Sequence, residues 1–350
     1  MDKEYLLELI TRPAFYVADG VITSTNEPAR QRQILPGTQI TDLISTGLEE
    51  YHTLADGCLF LTLRICDVNY GASVTTRDGA QLFLLESEAG NKELQAVSLA
   101  ANQLREPMSN IMILADQYFS SAENIPQEQL ASLKGSLYQM LRTIYNMSDA
   151  STYATKKLNR PTTENLPGII NEIMEKAAHA IAESGRKIAF QPLSDGIYAL
   201  CEKELLERAI LNLVSNAAKF SPEGSEIQAR LTRRDQKLLF TIENPYFGSS
   251  TELRGDIFSR FLREPGIEDT RNGIGLGMVI VRSAAMAHGG TILWEVPQDQ
   301  TVRITLSIAL RKNRSSDVRS PHLSFDYTGG RDHVLIELAD ALPDSAFKNI

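Results

Sequence analysis

Histidine is scarce in this chain: five residues in 350, and none between His52 and His179. Chemistry that needs an imidazole is excluded from that whole interval. Cysteine is scarcer still, and Cys58, Cys66 and Cys201 are odd in number, far apart and without metal-ligand spacing. They read as reduced thiols, which excludes a disulfide-stapled scaffold and a zinc site. No apolar run approaches the roughly 20 residues that cross a bilayer, and Met1-Asp2-Lys3-Glu4 does not read as a secretory signal. The expectation is a cytoplasmic protein with no membrane insertion. Basic residues are in deficit, 35 Lys and Arg against 44 Asp and Glu, for a formal charge of -9. Nucleic acid is therefore not the expected partner, because binding it needs a basic face. The local cluster Arg230, Arg233 and Arg234 reads as solvated surface.

What is present is a globular composition, 43% hydrophobic, long enough for two or three domains. Residues 1–88 mix short β-type runs with turns. Ala14-Phe15-Tyr16-Val17, the Asp19-Gly20 turn and Val21-Ile22-Thr23 form a hairpin signal. Runs at Cys58 to Ile65, Gly71 to Thr76 and Ala80 to Leu85, with helical pieces near residues 40–53, predict a small antiparallel sheet. Order and size resemble a PAS sensor domain.

From residue 90 the period becomes helical. Leu94, Val97, Ala101, Leu104, Met108, Ile111, Ala115 and Tyr118 alternate at spacings of three and four, a coiled-coil seam. After a break at Ser120 to Pro126 the pattern returns through Leu130, Leu133, Leu137, Met140, Ile144, Met147 and Ser151. Two such helices cannot hide both stripes alone, so residues 89–158 predict a hairpin that pairs with a second copy in a four-helix bundle. Packing of the hairpin on its own chain's other domains is the alternative.

Residues 159–311 alternate helix and strand: a helix at Ile169 to Glu183, a strand at Lys187 to Phe190, a helix at Lys203 to Ala218, and a hairpin from Glu226–Leu231 and Leu238–Ile242. This predicts an α/β sandwich. Residues 312–350 read as a polar linker followed by a short apolar helix, Val334 to Leu342, docked on that domain.

Within the sandwich, Asn212 and Asn216 lie four apart, on one helical face, and can offer amide oxygens to Mg2+. Lys219, one turn on, can reach a phosphate. Gly273-Ile274-Gly275-Leu276-Gly277 then opens a helix that ends at His288-Gly289-Gly290. Glycines let backbone approach oxyanions, and the helix start presents free N–H groups. Together these runs resemble the N-box and G2 box of the histidine-kinase, gyrase, heat-shock chaperone and MutL superfamily. Ile257 to Arg263, including Arg260, resembles the F-box, and Glu264 to Asn272 would be the lid. Where the family's G1 box has Asp-x-Gly-x-Gly, the chain has Asn244-Pro245-Tyr246-Phe247-Gly248. An asparagine oxygen still accepts from an adenine amino group without charge, a loss of about 1 kcal/mol or roughly tenfold in affinity. Tyr246 in place of glycine adds bulk and opposes a positive φ. The resemblance implies ATP and Mg2+ as cofactors, with Asn212, Asn216, Lys219, Asn244, Gly248, Arg260, Gly273, Gly275, Leu276 and Gly277 as the nucleotide site and the two N-box asparagines as metal ligands.

Upstream, Ala101-Asn102-Gln103-Leu104-Arg105-Glu106-Pro107-Met108 resembles the His-Glu-Leu-Arg-Thr-Pro-Leu signature of bacterial sensor histidine kinases. Asn102 stands where the resemblance places the phosphate-accepting histidine, and an amide lacks the localised lone pair of neutral imidazole. Gln103 replaces the acidic general base and cannot hold a proton at neutral pH. Glu106 stands at the position assigned to the phosphatase reaction and would repel a phosphoaspartate. Leu104, Arg105 and Pro107, which shape the helix, match. The expected architecture is multidomain α+β: a PAS-like α/β sensor, a hairpin forming a dimeric four-helix bundle, and an α/β-sandwich ATPase domain. The expected function is a two-component pseudokinase that homodimerises, binds Mg-ATP and signals by conformation to a response regulator or companion kinase. Two alternatives stand beside it: a kinase acting in trans on a partner's histidine, and a dimeric scaffold that binds no nucleotide.

Overall fold

A computed structural model describes residues 3–77, 79–86, 88–121, 126–153, 161–246, 276–298, 300–311 and 331–348. The chain opens with helix α1 (Lys3–Glu8) and a hairpin of β1 (Ala14–Ala18) and β2 (Val21–Thr25). Asp19 and Gly20 both take positive φ, 50° and 77°, as a two-residue turn between right-twisted strands requires. Three short helices, α2 (Glu27–Arg30), α3 (Ile40–Leu43) and α4 (Leu48–Thr53), flank the short strand β3 (Ile44–Thr46). Then β4 (Gly57–Ile65), β5 (Val68–Arg77) and β6 (Ala80–Leu85) complete an antiparallel sheet in the spatial order β2-β1-β6-β5-β4. Its inner face holds Phe15, Leu59, Leu61, Leu63 and Phe83, with the Phe15 and Phe83 rings stacked at 4.9 Å.

The near-continuous apolar run of β4 has a cause. Leu59, Leu61 and Leu63 face that inner core, while Cys58 and Phe60 face the larger core of the rest of the chain. A strand buried on both faces does not alternate. It also joins two sheets: β4 pairs antiparallel with β12 (Ile292–Gln298) through Cys58↔Trp294, Leu59↔Leu293 and Phe60↔Ile292.

Helices α5 (Glu88–Ser121) and α6 (Gln127–Tyr153) form the hairpin, and α5, at 34 residues, is about 50 Å long. Ala101, Met108 and Met112 of α5 pack against α6, where Leu137, Leu141 and Ile144 are buried. Leu104, Ile111 and Tyr118, the alternate positions of the heptad, are 51%, 49% and 64% exposed, and Leu133 and Met140 of α6 match them at 48% and 51%. One stripe closes the hairpin and the other stays uncovered.

In the third region, β7 (Thr162–Asn165) pairs with β9 (Tyr198–Cys201). Helix α7 (Leu166–Ala182) starts three residues before the sequence expectation and keeps its apolar face. Strands β8 (Lys187–Gln191), β10 (Glu226–Arg234), β11 (Lys237–Pro245), β13 (Thr301–Ala309) and β12 form the other half of the sheet, in the order β12-β13-β11-β10-β8. Helices α8 (Lys203–Phe220) and α9 (Leu276–Ala287) pack with α7 into the large core. The tail supplies α10 (His333–Leu338), whose first turn is capped by Asp332 Oδ1 accepting from Val334 N–H at 2.8 Å. Sequence placed the tail on the sandwich alone. It lies against α8 and α7 and also against α6, with the Phe347 ring 5.3 Å from that of Tyr138.

His288 ties α9 to the sheet. Its Nε2 accepts from Glu202 N–H at 3.2 Å, so Nδ1 carries the proton and donates to the Ala284 carbonyl at 2.8 Å. Only neutral imidazole satisfies both contacts, and burial pushes its pKa below the ordinary histidine range. The glycines after it are packing positions: a Cβ at Gly290 would overlap the Ser307 carbonyl. Below about pH 6.5 the unfolded chain takes a proton at His288 that the native state refuses, so stability falls with falling pH. Thermal melts should drop between about pH 7.5 and about pH 5.5, and His288→Gln should flatten that dependence.

Candidate nucleotide site and phosphoacceptor position

Helix α8 carries polar groups on a stripe that is otherwise core. Arg208, Asn212 and Asn216 recur every four residues, and Arg208 and Asn212 are fully buried. Asn212 Nδ2 donates to the Arg208 carbonyl at 2.8 Å and to Glu337 Oε2 at 3.2 Å, while its Oδ1 accepts from Arg142 Nη2 at 3.3 Å. Arg208 Nε donates to Glu337 Oε1 at 2.7 Å and its Nη2 to Asn146 Oδ1 at 2.7 Å. Asp340 Oδ2 lies 2.7 Å from Arg142 Nη1 and 2.8 Å from Lys219 Nζ. One compact cluster thus unites α6, α8 and the tail.

Electrostatics in the cluster are set by burial and by the opposed charges. Burial pushes Lys219 below the ordinary lysine range, with the Arg142 guanidinium adding to the effect and Asp340 opposing it. Burial would raise Asp340, but Arg142 and Lys219 outweigh it and hold the carboxyl below its usual value. The Cys201 thiol at the end of β9 is pushed up to about 12 by burial and is no nucleophile at neutral pH.

The sequence-predicted site residues divide into three groups. Asn212, Asn216 and Lys219 lie along α8 and Leu276 and Gly277 open α9: a Cβ on Gly277 would run into Asn212 Oδ1, so the missing side chain is what lets the start of α9 approach α8. Asn216 is half-buried and makes no side-chain hydrogen bond among the described residues, whereas the amide of Asn212 is fully engaged. Asn244 is buried at the end of β11, with its Nδ2 donating to the Pro245 carbonyl at 2.8 Å. Gly248, Arg260, Gly273, Gly275 and the lid at Glu264 to Asn272 lie outside the described residues. Tyr246 keeps an ordinary negative φ, and its ring leans on Phe220 at 6.4 Å.

Asn102, Gln103 and Glu106 are exposed on α5, with Pro107 inside the helix. Arg105 lies over the Tyr145 ring of α6 at 5.1 Å, a cation–π contact that helps set the hairpin. Sequence reasoning missed Arg142, Arg208, Glu337 and Asp340. A signal for Arg208 was present, a cation in register with both asparagines on an apolar helix. Glu337 gave a weaker one, a lone carboxylate among Val334, Leu335, Ile336 and Leu338. Among the described residues no group of His, Cys, Asp and Glu could hold a metal ion. No helix of the described residues is long and apolar enough to cross a membrane.

The family model for histidine kinase-, DNA gyrase B- and HSP90-like ATPases matches residues 201–312. That stretch, from the end of β9 to just beyond β13, is similar to the ATPase domain of those proteins. The sensor protein KdpD of Clostridium acetobutylicum is 27% identical over 221 residues, covering 59% of this chain and 24% of KdpD. The histidine-protein kinase/phosphatase MprB of Mycolicibacterium vanbaalenii is 27% identical over 222 residues, covering 60% of this chain and 44% of MprB. The chain is thus similar to these two bacterial sensor kinases over about 60% of its length, and it spans less than half the length of either relative. A crystal structure of full-length ShkA in complex with AMPPNP shares the fold, with a TM-score of 0.50 at 18% identity over 63% of this chain and 46% of that one.

Because Gly277 abuts buried Asn212, Gly277→Ala should force α8 and α9 apart. The expected loss is about 1–3 kcal/mol in urea unfolding, whereas Gly196→Ala, at an exposed loop position without a positive φ, should cost less.

Proposed function

We propose that this protein is a sensor-kinase homologue that binds Mg-ATP and signals by conformation, having no phosphoacceptor of its own. The observation that carries the proposal is a contrast within one chain. The junction of the N-box helix with Gly277 is packed closely enough that no Cβ fits, and Asn216 beside it keeps an uncommitted amide. The exposed turn of α5, by contrast, presents Asn102, Gln103 and Glu106, none of which accepts a phosphoryl group as imidazole does. An amide oxygen suits Mg2+, a hard cation that takes few protein ligands and completes its shell with phosphate and water. Asn216 and Asn212 would hold it, Lys219 would meet the triphosphate, and Asn244 would accept from the adenine amino group. The bound nucleotide would supply electrostatic ordering of the surrounding backbone.

The uncovered stripe of Leu104, Ile111, Tyr118, Leu133 and Met140 supports homodimerisation through a four-helix bundle. The amino-terminal sheet, in the order β2-β1-β6-β5-β4, supports a PAS-like input domain. A response regulator or a companion kinase is the proposed receiver. Phosphorylation in trans is the second reading, favoured by the same stripe, since a companion hairpin seated there could present its own histidine.

Calorimetry should give micromolar Mg-ATP affinity in the wild type, weakened at least tenfold in Asn216→Ala, with no label on the protein from radiolabelled ATP. Asn102→His with Gln103→Glu should restore self-labelling. Absence of heat at millimolar nucleotide would leave a scaffold. In sedimentation the wild type should run as a dimer and Leu104→Glu with Ile111→Glu as a monomer.

A further inference from the structure

We infer that the carboxyl-terminal tail is an intrachain latch on the nucleotide site, in which Glu337 and Asp340 hold the anion-binding groups of the N-box helix until a triphosphate displaces them. The inference rests on the Mg-ATP reading above and adds what competes for that site.

Three cations converge on two tail carboxylates. Glu337, 1% exposed, takes Arg208 at 2.7 Å and the Asn212 amide at 3.2 Å. Asp340 takes Lys219 at 2.8 Å and Arg142 at 2.7 Å. Lys219, which a metal-bound triphosphate would need on this helix, is engaged by the Asp340 carboxylate, and the Asn212 oxygen that the metal would need accepts from Arg142, itself held by Asp340. A carboxylate and a phosphate present the same charge-assisted acceptor chemistry to lysine and arginine. Both cannot occupy the same donors.

The latch also reaches the hairpin. Arg142 belongs to α6, Gln139 Nε2 donates to the Ala339 carbonyl at 3.3 Å, and Phe347 packs on Tyr138. Gly135 makes room for that packing, since a Cβ there would sit 3.3 Å from the Phe347 ring. At the near end, Arg331 Nη2 meets Asp116 Oδ2 of α5 at 2.9 Å. With the tail seated, the N-box helix and the hairpin are held as one body. With the tail displaced, Arg142 and Arg208 lose their acidic partners, and the bridge from α6 to α8 through the tail is lost. Nucleotide occupancy is thereby converted into hairpin position without any phosphoryl transfer.

The test uses the full chain with Mg-AMPPNP, read by calorimetry and by hydrogen exchange of residues 333–348. The latch predicts that saturating Mg-AMPPNP raises exchange in the tail at least tenfold. It also predicts that Glu337→Gln with Asp340→Asn binds Mg-AMPPNP at least tenfold tighter than wild type. Phe347→Ser, which loosens the tail from α6 and leaves both carboxylates and all three cations in place, should tighten binding in the same direction and guards against misfolding of the charge variant. Equal affinities in all three proteins, with the tail protected when nucleotide is bound, would overturn the latch and leave the nucleotide reading standing. A tail that exchanges freely in both variants while none of the three proteins binds nucleotide would overturn the nucleotide reading, and the competition with it.

Discussion

A buried cluster of charge on α8 is the constraint on which the arrangement of this molecule depends. Arg208 and Arg142 are almost wholly removed from water, 1% and 4% exposed, and such ions persist only where opposite charge and hydrogen bonds replace the solvent. That replacement comes from Glu337, Asp340, Asn146 and Asn212, which belong to the hairpin, the N-box helix and the tail. No one of these segments can satisfy the cluster alone. Removing a single partner strands the others, which in buried pairs is destabilising by about 3–5 kcal/mol. The cluster therefore specifies which helix faces which more than it adds net stability, and it does so at the point where the nucleotide is proposed to bind.

The second constraint is the pairing of β4 with β12. Edge strands invite pairing, and here both edges are consumed by each other. The consequence is mechanical as well as energetic. Glu50 on α4 meets Lys237 of β11 at 2.7 Å, and Arg282 on α9 lies over the Phe60 ring of β4 at 5.7 Å. The amino-terminal sheet and its flanking helix thus touch the other half of the sheet at the start of β11 and also touch α9. The amino-terminal sheet and the strands that follow β12 are joined through main-chain hydrogen bonds.

Much of this was legible in the sequence, where periodicity or spacing is local. The Asp19-Gly20 hairpin, the two long helices and the asparagines four apart on α8 all rest on contacts within a few residues of one another. The heptads could not say which seam would close within the chain. Ala101 and Met108 pack inside the hairpin while Leu104 and Ile111 do not, because both stripes have the same apolar chemistry and differ only in which neighbour reaches them. The β4 to β12 pairing left one trace, the unalternated run at Cys58 to Leu63, but a run of that kind does not name its partner. Glu337 and Asp340 were illegible for a related reason. Their partners Arg142, Arg208 and Lys219 are more than a hundred residues away, and a short apolar helix with two acids looks the same whether those acids face water or a buried guanidinium.

The substitutions at the α5 turn acquire a physical rationale from these contacts. A phosphoaccepting histidine must be reached by the γ-phosphate, so an active kinase has to let its ATPase domain move along the hairpin. Here that movement is opposed by a buried ionic cluster, by a tail packed on α6 and by a sheet shared with the amino-terminal domain. Asn102 and Gln103 are exposed and support none of these contacts, so under the proposed reading an exchange of reactive groups there leaves the assembly untouched. Arg105, over the Tyr145 ring, does support the hairpin, and it matches the kinase signature. Under the proposed reading, Arg105 is a matched residue with a contact in the hairpin, whereas Asn102, Gln103 and Glu106 face outward and carry only the altered chemistry.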